Sequence, residues 1–154
     1  MNTEKVRRAI SRIIEACHTS TLVTVDSNGR PWARQMSDHN IWPQDGGPEN
    51  VLWLQTSART HKIKHLQSNH KAGLYYFRPD EREYVYASGS CRAVSDSDLR
   101  EKYFRETLLE YWPEGPTAPD YVLLRFDIET FVYYPGSEAG HFPLWLQVNR
   151  WHGE

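Results

Sequence analysis

The feature that most constrains this chain is an Asn28-Gly29 pair set between two runs of alternating polarity. One is Thr21-Leu22-Val23-Thr24-Val25, and the other returns through Trp32, Arg34 and Met36. Both turn residues tolerate positive φ, and Asn-Gly in this setting is the strongest short-range signal for a β-hairpin. A further apolar run, Val51 to Thr56, reads as a strand. The segment after it begins a short helix whose first turns carry Ser57, Arg59, Thr60, His61 and Lys62. Free backbone N–H groups and the positive end of the helix dipole meet where a helix begins, so hydroxyls and cations gathered there suit an anion. Arg34, on the neighbouring strand, is placed to close the same site. The sequence thus predicts a phosphate pocket at a strand-to-helix corner.

Around this stretch the elements follow from periodicity and breakers. Thr3 is positioned to cap a helix running to about His18, with Val6, Ile10, Ile13, Ile14 and Cys17 on one stripe. The loop from Ser37 to Asn50 holds Pro43 and Asp45-Gly46-Gly47-Pro48, with Ile41 and Trp42 as its large apolar residues, and is too rich in breakers for regular structure. A helix near Thr60 to Ser68 is followed by β-like runs at Ala72 to Arg78, Tyr84 to Ser88 and Cys91 to Ser95, Gly89 marking a bulge or bend. Asp96 caps an expected amphipathic helix, Ser97 to Trp112, ended by Pro113, Gly115, Pro116 and Pro119. Strands at Tyr121 to Asp127 and Thr130 to Tyr134 complete the count. Many strands with few helices between them argue against a doubly wound parallel sheet. They point to a mainly β (α+β) chain, a small antiparallel barrel with peripheral helices.

At 154 residues this is one domain, residues 1–154, with an atypical tail from 135 to 154 rich in Gly, Pro, His and Trp. A net charge of -2 gives no electrostatic case for nucleic acid. No apolar run is long enough for a bilayer, and the amino terminus lacks the apolar core of a secretory signal. Cys17 and Cys91 form no CxxC pattern and read as buried thiols in a reducing compartment, so a cytoplasmic location is expected. Aromatics make up 13% of the chain, a share that suits a flat ligand or an aromatic subunit interface. His61 and His65 share a helix face at i, i+4, but no Glu completes an HExxH arrangement and no third ligand is evident, so no metal site is expected. There is no GxGxxG element, triad or carboxylate pair, and no catalytic side chain is assigned.

Taken in order, the motifs resemble a known family. They are TxDxxGxPxxRxM from Thr24 to Met36, a VLWLxTS strand, a helix carrying KIKHL, a YVYASG strand, SDSDLREKYF, and YWPEGPTAPDYVLLRFDIE. This resembles the pyridoxamine 5'-phosphate oxidase-like FMN-binding split barrels, especially their general stress protein branch, over roughly Val6 to Tyr134. The resemblance implies a six-stranded antiparallel split β-barrel that forms a homodimer, with FMN in a cleft between subunits and a small-molecule substrate. Carried over by position, Arg34 and Lys62 would grip the FMN phosphate, helped by hydroxyls at Thr56, Ser57 and Thr60. Backbone around Arg34, Gln35 and Met36, and around Gln55 and Thr56, would meet the flavin ring edge. His61 stands where relatives often place another polar or basic contact.

The chain departs from the family pattern at Tyr133-Tyr134, where relatives often carry Tyr-Trp, and after Pro135. Arg150-Trp151-His152 mimics the carboxy-terminal Arg-x-His of true pyridoxamine phosphate oxidases, but its surroundings do not match. Oxidation of vitamin B6 is therefore not the expected activity. The expectation is a flavin-dependent oxidoreductase using a reduced nicotinamide or similar donor. The alternatives are a non-catalytic flavin-buffering stress protein and the same fold holding haem or a deazaflavin.

Overall fold

The structure is a computed structural model, and it describes residues 2–37, 42, 48–136 and 143–148. The chain opens with helix α1 (Thr3–Ala16), whose buried stripe is Val6, Ile10, Ile13 and Ile14. Its cap is Asn2 rather than the expected Thr3: the Asn2 side-chain oxygen accepts from Lys5 N at 2.9 Å. The hairpin follows as β1 (Ser20–Val25) and β2 (Pro31–Met36), paired so that Leu22 faces Arg34 and Thr24 faces Trp32. Of the two turn residues only Gly29 takes positive φ, at 79°. The turn is a longer one than a two-residue hairpin, stitched by Asp26, whose carboxylate accepts from Asn28 N and Arg30 N.

Strand β3 (Val51–Ser57) leads into α2 (His61–Ser68), and then come β4 (Lys71–Arg78) and β5 (Glu83–Val94). The two runs expected on either side of Gly89 are one strand with a register shift between Ser88 and Gly89. A side chain at Gly89 would collide with the Asp127 carbonyl, so the close backbone approach needs glycine there. The expected helix from Ser97 to Trp112 is a correction: α3 spans Ser97–Lys102, and a separate 3-10 turn covers Glu106–Glu110. The break has a tertiary cause. Tyr103 stacks on Trp53 with ring centroids 4.3 Å apart, and Gln55 Nε2 donates to the Tyr103 carbonyl. That oxygen is withdrawn from the helical ladder, and packing outweighs propensity.

The last long strand, β6 (Tyr121–Tyr134), unites the two runs expected near Asp127, and β7 (Leu144–Gln147) pairs with its second half. All pairings are antiparallel, in the order β2-β1-β4-β5-β6-β3, with β7 beside β6 on the edge that β3 leaves free. The six-strand path is the mainly β architecture expected, and β7 is a seventh strand supplied by the tail. Phe142, Trp151 and the Arg150-Trp151-His152 run lie outside the described residues, as does most of the 37–50 loop.

Strand β3 explains its own unbroken apolar run, because both of its faces are buried. Leu52 and Leu54 join the main core with Leu22, Leu74, Tyr76, Phe126 and Phe131. Val51 and Trp53 point the other way, into a second cluster with Tyr103, Leu108, Tyr121 and Leu123. Among the described residues no helix is long and apolar enough to cross a membrane.

Candidate functional site

The ends of the strand path, β2 and β3, are bridged by α2. Its first turn reaches β3 through Lys62, whose Nζ donates to Thr56 Oγ1 at 2.8 Å. One turn later His65 reaches β1 through a 2.9 Å contact between its Nδ1 and Thr24 Oγ1. Arg34 on β2 completes the group: its Nη1 donates to Thr24 Oγ1 at 2.7 Å and to the carbonyls of Trp32 and Leu22. Residues far apart in sequence thus form one polar corner beneath a short helix.

The electrostatics of this corner are one-sided. Lys62 is buried and Arg34 half-buried, and among the described residues neither has a carboxylate partner. Burial pushes the Lys62 ammonium below its ordinary pKa, and the nearby positive charge of Arg34 pushes it further down. Burial also lowers Arg34. Two partly dehydrated cations close enough to repel each other are costly unless an anion completes them.

The helix start fits the same need. Thr60 occupies the cap position of α2 but makes no side-chain cap bond. Its hydroxyl donates instead to the Ser57 carbonyl at 2.9 Å, leaving its oxygen 3.5 Å from Thr56 Oγ1. The first amides of α2 therefore lack the side-chain acceptor that a Thr cap usually supplies.

The remaining residues picked from the sequence divide sharply. Ser57 donates its hydroxyl proton to Asp120 at 2.8 Å, and Asp120 also pairs with the exposed Arg59. His61 is exposed. Gln35 is exposed and donates to Thr21 Oγ1, while Met36 lies in the main core. The Gln55 side chain points into the second cluster toward Tyr103. The residues the structure brings together are Arg34, Thr56, Thr60 and Lys62. Thr24 and His65 join them, and sequence reasoning did not pick either as a site residue. Thr24 read as an ordinary strand threonine, and His65 was weighed only as a metal ligand beside His61. Among the described residues no cluster of His, Cys, Asp or Glu is arranged for a metal.

Cysteine chemistry is disfavoured. Both thiols are free, and burial raises them both, Cys91 to about 12. Neither is a ready thiolate nucleophile.

With the site defined, the comparisons with known proteins decide the family. The family profile described as pyridoxamine 5'-phosphate oxidase matches residues 6–134. The chain belongs to the pyridoxamine 5'-phosphate oxidase family. The match takes in the hairpin, α2 and every residue of the corner. No curated protein matches the chain.

Solved structures agree on the fold of this family member. A Clostridium acetobutylicum protein related to general stress protein 26 of B. subtilis superposes with a TM-score of 0.83 at 20% identity, covering 99% of this chain and 100% of that one. General stress protein 26 of Bacillus anthracis gives a TM-score of 0.70 at 23% identity, covering 92% of this chain and 97% of that one. A heme binding protein of Mycobacterium smegmatis gives 0.71 at 12% identity, covering 98% of this chain and 60% of that one. At these identities the likeness is one of fold.

Proposed function

We propose that the corner beneath α2 binds the phosphate of FMN, and that the protein is a flavin-dependent oxidoreductase acting on a small molecule with a reduced nicotinamide or similar donor. The observation that carries this reading is the pairing of Arg34 and Lys62 beside two hydroxyls and an uncapped helix start, with no carboxylate partner among the described residues. A phosphate monoester brings close to two negative charges and several acceptor oxygens, which match a guanidinium, an ammonium and backbone N–H groups. The donor set therefore fits the group.

The chain's own residues do distinct work in this reading. Arg34 is held by three oxygens through Nη1, which leaves Nε and most of Nη2 without acceptors among the described residues. That edge is the one offered to an anion. Lys62 adds charge from the other side, already oriented by Thr56. Thr60 contributes the amides that follow it, and its hydroxyl would serve the anion by turning from the Ser57 carbonyl. The backbone of Arg34 to Met36 and of Gln55 to Thr56 is assigned to the ring edge, whereas Gln35, Met36 and Gln55 turn their side chains elsewhere. Bound flavin would supply hydride acceptance and electron release, and the protein's part is to hold the ring and tune it.

A homodimer completes the proposal, with the flavin between two copies. The sheet carries a row of partly exposed aromatics for such a contact: Phe77 stacks on Tyr75, Tyr75 meets Tyr84 at a tilt, and Tyr84 stacks on Tyr134, with centroids 6.2, 5.4 and 5.2 Å apart. Aromatic enrichment of this kind marks subunit interfaces.

The decisive experiment pairs a spectrum with a titration. The purified protein is expected to show flavin bands, to bleach on anaerobic mixing with NADH or NADPH, and to sediment as a dimer. Arg34→Ala combined with Lys62→Ala is expected to abolish FMN retention while the far-UV spectrum and melting transition persist. Flavin that resists reduction by either nucleotide would leave a binding or buffering role. A Soret band, or stoichiometric flavin in the double variant, would overturn the site.

A further inference from the structure

The contacts of Arg34 specify the state of one residue that the phosphate reading leaves undetermined. His65 is partly buried on α2, and its Nδ1 faces two groups at once. Thr24 Oγ1 lies 2.9 Å away and Arg34 Nη2 3.5 Å away. A guanidinium has donors and no acceptor, so the ring nitrogen beside Nη2 has to present a lone pair. Thr24 Oγ1 meanwhile accepts from Arg34 Nη1 at 2.7 Å, and its own proton is free to point at that lone pair. The guanidinium contact selects an imidazole with its hydrogen on Nε2, and the Thr24 hydroxyl is able to donate to the same nitrogen. The indole of Trp32 lies 6.3 Å from the ring, and its Nε1 donates to the Asp26 carboxylate.

We infer that His65 is a positioning residue for the anion site: by taking the Thr24 proton it fixes the Thr24 oxygen as the acceptor that locks Arg34, leaving the outer guanidinium edge for the phosphate. The chain of donation runs Arg34 to Thr24 to His65, from β2 through β1 to α2. Protonating Nδ1 would set a donor against a donor and a cation beside a cation. Replacing the ring with an apolar group frees the Thr24 hydroxyl to rotate and removes one partner of the guanidinium. The identity of the anion rests on the FMN reading, while the tautomer and the relay rest on the contacts alone.

The test separates the two. Titrations with FMN and with riboflavin, which lacks the phosphate, are run on wild type, His65→Leu and His65→Asn. Asparagine carries an oxygen near the position of Nδ1, and leucine carries no acceptor. Losing one hydrogen-bond acceptor beside a charged group predicts FMN affinity about tenfold weaker in His65→Leu. His65→Asn is expected to recover most of that loss, and riboflavin affinity to stay unchanged in both. Equal FMN affinity in the two variants, or a parallel fall for riboflavin, overturns the role. Long-range 1H–15N NMR of the flavin-free protein near neutral pH is expected to show the Nε2–H tautomer, and an Nδ1–H or doubly protonated ring would sink the relay. If wild type takes up no FMN the phosphate reading fails, and the NMR arm on the flavin-free protein still decides the relay.

Discussion

Two corners of this molecule are built from the same parts and come out opposite. At the far end of β5 from the bulge, Glu83 is buried and gathers Arg12 of α1 at 2.9 Å, Arg78 of β4 at 3.3 Å and the Tyr133 hydroxyl of β6 at 3.3 Å. Two cations surround one anion that the chain supplies itself. At the corner beneath α2, two cations again converge from separate elements, and among the described residues no carboxylate stands with them. The first arrangement is complete as a fold fastener, tying the amino-terminal helix to the sheet. The second has no anion of its own among the described residues, and it is the corner proposed to receive the phosphate. Charge that is left unbalanced in a partly buried place points to a ligand more strongly than charge alone does.

The comparison can be broken most severely by giving the receptor corner a carboxylate of its own. Lys62→Glu would set an anion beside Arg34, imitating Glu83, and is expected to weaken FMN binding by more than about a thousandfold, since two charge-assisted contacts of about 2 kcal/mol each are lost and repulsion replaces one of them. Fluorescence titration with FMN measures it, and retained tight binding would show that Lys62 does not face the phosphate.

The reverse change empties the fastener. Glu83→Ala strands Arg78 and the Tyr133 hydroxyl, and is expected to destabilise the fold by about 2 kcal/mol in denaturant melts, the low side for a broken buried pair because Arg12 keeps most of its hydration. FMN affinity should be unaffected, because the two corners share no residue.

A smaller and opposite effect is expected at the receptor. Lys62→Met removes a buried cation that no anion offsets in the flavin-free protein, so that form should gain about 1 kcal/mol of stability while losing FMN. A loss of stability instead would mean that the Thr56 contact matters more to the fold than the buried charge costs it.

The smallest signal is in the pH dependence. Lys62 has a folded pKa below its unfolded value, so between the two the unfolded chain binds more protons and stability rises with pH. Below the folded pKa the full penalty stands, and as pH climbs toward about 10.4 it is relieved. The difference in stability between flavin-free wild type and Lys62→Met should therefore shrink across the alkaline range. A difference that stays constant with pH would place the Lys62 ammonium in water.

Much of this was legible beforehand where the signal was local. The hairpin was announced by Asn28-Gly29, and the meeting of Thr56, Thr60 and Lys62 by their place at a strand-to-helix junction within seven residues. The expected helix from Ser97 to Trp112 failed because its interruption comes from Trp53 and Gln55, about fifty residues away, and no periodicity within the segment carries that information. Ser57 looked like a ligand by position, yet Asp120, sixty-three residues later, holds its hydroxyl.

What the sequence determined by itself was the hairpin, most of the other strands, the first two helices, their mainly antiparallel character and the presence of cations near a helix start. These are properties of neighbours along the chain: alternation, turn chemistry and capping act within a few residues. Tertiary structure alone decided which cations were neutralised and which were left open, and which side chains meet the ring of His65. Charge balance and hydrogen-bond direction depend on distance in space, and Arg34, Thr24 and His65 acquire theirs only when α2 lies across both ends of the sheet.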